Sequence, residues 1–155
     1  MMKFLRILFH IVTVIGLYFL LIFGPKMTWV LIGLHLIADF WMQGCLADMK
    51  QESWWLKKFD EMNLDEKHRE LYKKDYGIAL VCHALMWSII TFSPLIFFVD
   101  SFTFGMIIFW NTWYHAYVDN LKANVKIINL FGDQLSHLFQ IVATVMICFG
   151  SGYFK

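Results

Sequence analysis

Apolar residues gather in five blocks, at about Phe4–Phe23, Met27–Leu46, Gly77–Val99, Phe102–Leu121 and Asn129–Phe149. Each is close to the roughly 20 residues that a helix needs to cross a bilayer. The pattern predicts an all-α membrane protein with five transmembrane helices, residues 1–155 forming a single integral membrane domain. The first block follows Lys3 and Arg6 with no small-residue cleavage site behind it, so it reads as a retained signal anchor. Gly24-Pro25 and Asp100-Ser101 mark tight turns on one side of the membrane, and Pro94 is expected to kink the third block.

One long connection remains, Ala47–Tyr76. Its seven lysines and arginines are interleaved with slightly more acids. Orientation follows Lys and Arg, so this loop is expected to be cytoplasmic. The N-terminus and the Lys122–Lys126 connection then also lie inside, leaving only Lys26 and Lys155 outside. The expected location is a cell inner membrane, with the C-terminus external. Within the loop, Trp54, Trp55, Phe59 and Met62 repeat at helical spacing beside Lys57 and Lys58, which fits an amphipathic helix lying in the interface. Asn63 with Glu66 resembles a capping box, predicting a second helix that runs through Tyr72 into the third span.

Polar residues inside the apolar blocks are few and ordered. His35 with Asp39, His115 with Asp119, and Asp133 with His137 each stand four apart, a spacing that puts both side chains on one helix face. Shuffled through the chain, the same residues give roughly half such a pair. The stripes extend to Gln43 on the second span, Asn111 and Lys122 on the fourth, and Gln140 and Thr144 on the fifth, while the third carries His83 and Thr91. Four helices with inward polar stripes predict a polar-centred bundle, with the first span and its lone His10 outside it. At 1.5 Å per residue the paired residues and His83 all fall in the cytoplasmic half.

An ionised aspartate near mid-bilayer costs about 2.5–3.5 kcal/mol, so three need compensation. A divalent metal supplies it. His35, His83, His115 and His137 with Asp39, Asp119 and Asp133 are the candidate ligands, in a mixture of imidazole and carboxylate that suits Zn first and also Mn or Fe. Such a metal makes hydroxide available near neutral pH and polarises a phosphoryl or carbonyl oxygen. The corresponding activity is hydrolysis of a lipid-linked or other membrane-proximal substrate, with Asp39 or Asp119 as base and Lys122 placed to hold a phosphate. Lys122 also fits an ordinary snorkelling lysine. Without metal, the same residues could join helices by hydrogen bonds or form a proton or ion relay, and a non-enzymatic phage or bacterial membrane effector, working through protein contacts or by perturbing the bilayer, would not need the cluster at all.

Composition narrows the classes further. Apolar residues make up 59% and aromatics 19% of the chain, and a net charge of +1 offers no basic field for nucleic acid. Cys45, Cys82 and Cys148 form no Cys-x-x-Cys element and read as reduced packing residues.

The ordered run His35-Leu-Ile-Ala-Asp39-Phe40-Trp-Met-Gln43, then Ala47 and Lys50, His83, His115-x-x-x-Asp119-x-x-Lys122 and Asp133-Gln134-x-x-His137 resembles the family of small bacterial and phage membrane proteins called domain of unknown function 3307. The resemblance covers about residues 28–145. It implies that these same residues define the family's pattern, and it carries no biochemical role. A reporter fused within Glu61–Asp65 is expected to behave as cytoplasmic and one after Lys155 as external; the reverse pattern would refute the orientation.

Overall fold

The computed structural model describes residues 26–150, with side-chain placement to 148. The first predicted span, His10 and the turn at Gly24-Pro25 lie outside the described residues, as does Lys155. Every regular element among the described residues is helical. Helix α1 (Lys26–Leu36) runs into a π-helical turn, Ile37–Trp41. Short α2 (Leu46–Met49), α3 (Glu52–Glu61) and α4 (Glu66–Tyr72) follow. Then come α5 (Asp75–Phe92) with a 3-10 tail over Ser93–Phe97, α6 (Ser101–Ala123) and α7 (Leu130–Gly150).

Helix α1 packs on α5 and α7, α5 on α6, and α6 on α7, closing a four-helix ring, while α2 and α3 lie against α5. The interior of the ring is divided. One part is an apolar cluster that includes Leu31, Phe92, Leu95, Ile107, Ile141 and Val145, with Asn111 and Thr144 buried and hydrogen-bonded to each other on the facing helices. The other holds buried His35, Asp39, His83, His115, Asp119, Asp133 and His137. The outside is rich in large apolar side chains, including Trp41, Ile78, Phe97, Phe102, Trp110 and Ile147, all exposed. A polar centre inside an apolar surface inverts the usual order of a water-soluble domain.

Two stretches are long and apolar enough to cross a membrane, Glu66–Phe97 and Leu130–Cys148. The expectation of five spans is therefore met, on length and apolarity, by two among the described residues. The predicted span 27–46 is cut short because the helix loosens into the π turn and then leaves helical geometry through Gly44, whose φ of 51° only glycine adopts freely. Helix α6 has the length, at 23 residues. Its inward stripe of Asn111, Thr112, His115, Asp119, Asn120 and Lys122 dilutes the apolar average.

Local signals explain the remaining boundaries. Asp100 caps α6 by accepting from the N–H groups of Phe102 and Thr103, and its other oxygen accepts from the Thr103 hydroxyl at 2.6 Å. With the Thr103 hydroxyl the foremost cause, these donors hold its carboxyl below the usual carboxylate range. Pro94 ends α5 and tightens the chain into the 3-10 turn. The expected capping box is displaced by two residues. Asp65 caps α4, accepting from the N–H of His68 at 2.9 Å. Asn63 instead closes α3 in the left-handed conformation, φ 49°, with the N–H of Leu64 reaching back to Phe59 O.

The amphipathic helix is present as α3, and part of its apolar face packs on the protein. Phe59 is buried and the Trp55 indole donates to Met49 O, so this side of the helix is turned onto the protein; Leu56 and Met62 face outward. The three cysteines are free, and Cys148 alone is buried. Removing the Asp100 carboxylate in an Asp100→Ala variant is expected to fray the start of α6. Hydrogen exchange should quicken at the Phe102 and Thr103 amides, whereas unchanged protection there would rule out the cap. Because the folded carboxyl is held low, its contribution is present above the unfolded carboxylate range and fades as acid protonates it.

Candidate metal centre

The centre is assembled from four elements of the ring and one arm. The π turn at the end of α1 supplies Asp39, α5 supplies His83, α6 supplies His115, Asp119 and Lys122, and α7 supplies Asp133, Gln134 and His137. The arm is the turn after α2, which carries Lys50 inward until both it and Asp119 are shielded from solvent. Gln43 folds back to donate to the Asp39 main-chain carbonyl and, at 3.1 Å, to Asp39 Oδ1, securing the loosened end of the helix.

Imidazole nitrogens and carboxylate oxygens converge closely. His83 Nε2 lies 3.3 Å from His115 Nε2, 3.3 Å from Asp119 Oδ2 and 3.6 Å from Asp39 Oδ1. His137 Nε2 lies 3.4 Å from Asp119 Oδ1 and 3.3 Å from Asp133 Oδ1. Ligand atoms about 2.0–2.1 Å from a tetrahedral zinc ion are separated by about 3.3–3.4 Å. Several of the observed spacings are close to that edge length, and in each of the groups Asp39–His83–His115, His115–Asp119–His137 and Asp39–Asp133–His137 the ligand atoms lie within 4.8 Å of one another, close enough to hold a metal ion.

Hydrogen bonding singles out one corner. Lys50 Nζ takes Asp119 Oδ2 at 2.6 Å and Lys122 Nζ takes Asp133 Oδ2 at 2.5 Å. The opposite oxygens, Asp119 Oδ1 and Asp133 Oδ1, are buried without a hydrogen-bond partner, and so is His137 Nε2 between them. Leaving such groups unpaired costs about 1–3 kcal/mol each, more when charged. Three carboxylates against two ammonium groups leave one uncompensated negative charge if the imidazoles are neutral. A divalent cation bound here would reverse that charge, and His137 belongs to two of the groups close enough to hold one, with His115 and Asp119 and with Asp39 and Asp133.

His35 is differently placed from the other candidate ligands. The Trp87 indole donates to its Nδ1 at 3.0 Å, and its Nε2 donates to Gln134 Oε1 at 3.1 Å. Gln134 in turn donates to Asp39 Oδ2 at 2.6 Å. Both ring nitrogens of His35 are occupied, so it orients Gln134 and Asp39 rather than facing the centre. Trp87 also stacks on His115, which stacks on His137, with ring centroids 4.1 and 4.0 Å apart. That stack separates the polar half of the interior from the apolar half.

Spacing along the helices identified five of the six candidate ligands that meet at the centre; the sixth, His83, stood without a paired carboxylate and is brought in by α5. Lys122 joins through Asp133 and is half-buried, neither free nor merely snorkelling. Lys50 and Gln134, quoted above only within the ordered run, take part through contacts between elements far apart in sequence. Their one visible signal is a lysine and a glutamine of ordinary local setting at fixed places in that run. No family model, curated protein or solved structure matches the chain. Trp87→Phe leaves the buried Nδ1 of His35 without its donor and should lower stability by about 1–3 kcal/mol. Unfolding in detergent measures this; an unaltered midpoint would mean that the indole bond contributes nothing.

Proposed function

We propose that this chain is an integral membrane protein holding a divalent cation on His137, Asp119 and Asp133. The observation that carries the reading is that His137 Nε2, buried without a hydrogen-bond partner, has two equally unpartnered carboxylate oxygens beside it, Asp119 Oδ1 at 3.4 Å and Asp133 Oδ1 at 3.3 Å. Zinc is favoured by the donor set, and Mn or Fe use similar ligands. The membrane assignment is supported by the two long apolar helices and by the exposed aromatic and aliphatic surface around a polar centre. We place the Lys50–Lys122 end at the cytoplasmic face, with five spans in all, on the distribution of lysine and arginine. The ordered His, Asp, Gln and Lys motifs support membership of the domain of unknown function 3307 family.

The proposed chemistry is hydrolysis of a lipid-linked or other phosphate-containing substrate at the cytoplasmic leaflet. Lys122 is the charged member of the cluster that reaches solvent, with its side chain 30% exposed. Turning from Asp133 toward the surface, its ammonium meets a phosphate at the leaflet boundary. Asp39, held by Gln43 and Gln134, lies beside the centre without a lysine partner and is the carboxylate placed to accept a proton. A second reading, a non-enzymatic effector in which the cluster joins helices, is favoured by the pairing of Asp119 and Asp133 with lysines in a closed interior.

Metal content of tag-free, detergent-purified protein separates the two. The wild type and a His68→Ala control, altered on exposed α4, should retain metal. His137→Ala and Asp119→Asn should lose it, and Asp119→Asn should lose the stabilisation that added Zn²⁺ gives the wild type. A metal-free wild type whose Asp119→Asn variant is more stable and indifferent to chelator would support the effector reading instead.

A further inference from the structure

The two oxygens of Asp119 face two different donor sets. Oδ1 points to His137 Nε2, on the side of Asp133. Oδ2 lies 3.3 Å from His83 Nε2 and 3.7 Å from His115 Nε2, on the side of Asp39. The second set, Asp39–His83–His115, is itself close enough to hold a cation. A carboxylate between two such sets is the arrangement in which one residue bridges two metals. Here the second oxygen is already taken, by the Lys50 ammonium at 2.6 Å.

We propose that Lys50 acts as a fixed positive charge in place of a second metal and thereby keeps the centre mononuclear. The proposal rests on the metal-centre reading above and adds to it the number of ions and the residue that sets it. With Lys50 and Lys122 both charged, one divalent cation already turns the net charge of the carboxylates and ammonium groups from −1 to +1. A second would bring it to +3 in a buried volume, where repulsion at a few ångströms is strong. The second ion would also have to compete with Lys50 for Asp119 Oδ2. Methionine at position 50 frees that oxygen and removes one positive charge while keeping an unbranched side chain.

Lys50 is held in place from outside the cluster. Asn124, just beyond α6, donates from Nδ2 to Lys50 O at 3.2 Å, and its Oδ1 accepts the N–H of Glu52 at 2.9 Å. These two bonds anchor the α2–α3 turn on which Lys50 sits. Asn124 is therefore a positioning residue for Lys50. Its removal alters no donor atom of either set.

Titration of the metal-depleted full-length protein with Mn²⁺, followed by electron paramagnetic resonance, tests this directly. The wild type and Lys50→Arg should take up one tight equivalent with a magnetically isolated signal. Lys50→Met should bind a second equivalent at least about tenfold more tightly than the wild type does, with a spin-coupled signal from two neighbouring ions. Asn124→Ala should strengthen the second equivalent in the same direction, which keeps the test decisive if Lys50→Met does not fold. Two equally tight, coupled ions in the wild type would overturn the proposal. So would a second equivalent that is unchanged in the variants that fold, or that stays magnetically isolated. Absence of tight Mn²⁺ and Zn²⁺ binding in every form would defeat the metal-centre reading and this proposal with it, whereas one ion in all forms would defeat only the proposal.

Discussion

Electroneutrality in a closed space is the constraint on which the rest of this structure depends. Three carboxylates and four imidazoles occupy one half of the interior of a four-helix ring, almost wholly shielded from solvent. Isolated ionised carboxylates do not persist in such a place; they are paired, protonated or bound to a cation. Two of the three are paired here, by lysines that come from different parts of the chain. Lys122 reaches across from α6 to α7, and Lys50 is delivered by the arm between α1 and α3. The arm is thus tied to the bundle by charge as well as by the packing of Phe59 and Trp55.

Trp87 gives the polar half its boundary. It donates to His35, which sets the tautomer of that ring and, through Gln134, the orientation of Asp39. Its face covers His115, which in turn covers His137. Beyond it lie Phe92, Leu95, Ile141 and Val145, with no titratable group in that apolar cluster apart from the Cys148 thiol. Ligand geometry and apolar packing are therefore coupled through a single aromatic residue. A disturbance of the packing above Trp87 would be felt by three histidines at once.

Much of the centre was legible because a helix converts sequence spacing into a face. His115 with Asp119 and Asp133 with His137 needed no knowledge of the tertiary structure to be placed side by side. Helical periodicity also made the long helices visible, and α5 and α7 lie close to the predicted spans. What could not be read are contacts between elements. Lys50 looked like one of many loop lysines, and only the fold turns it inward. His35 shares the spacing of a ligand, yet Trp87 and Gln134 claim both of its nitrogens. Helical spacing put Gln43 on the stripe of Asp39, but not the π turn at the end of α1 that the Gln43 contacts secure. Caps are similarly local choices between neighbours: Asn63 and Asp65 both suit a helix boundary, and the left-handed exit from α3 claims the first.

The central claim is that imidazole and carboxylate atoms from α6 and α7 hold the cation. X-ray absorption at the zinc edge of the Zn-loaded protein reads its neighbours directly. The geometry predicts a first shell of nitrogen and oxygen at about 2.0–2.1 Å, with outer-shell scattering from imidazole that falls in His137→Ala. A sulfur shell at about 2.3 Å, or a zinc spectrum without imidazole scattering, would contradict it.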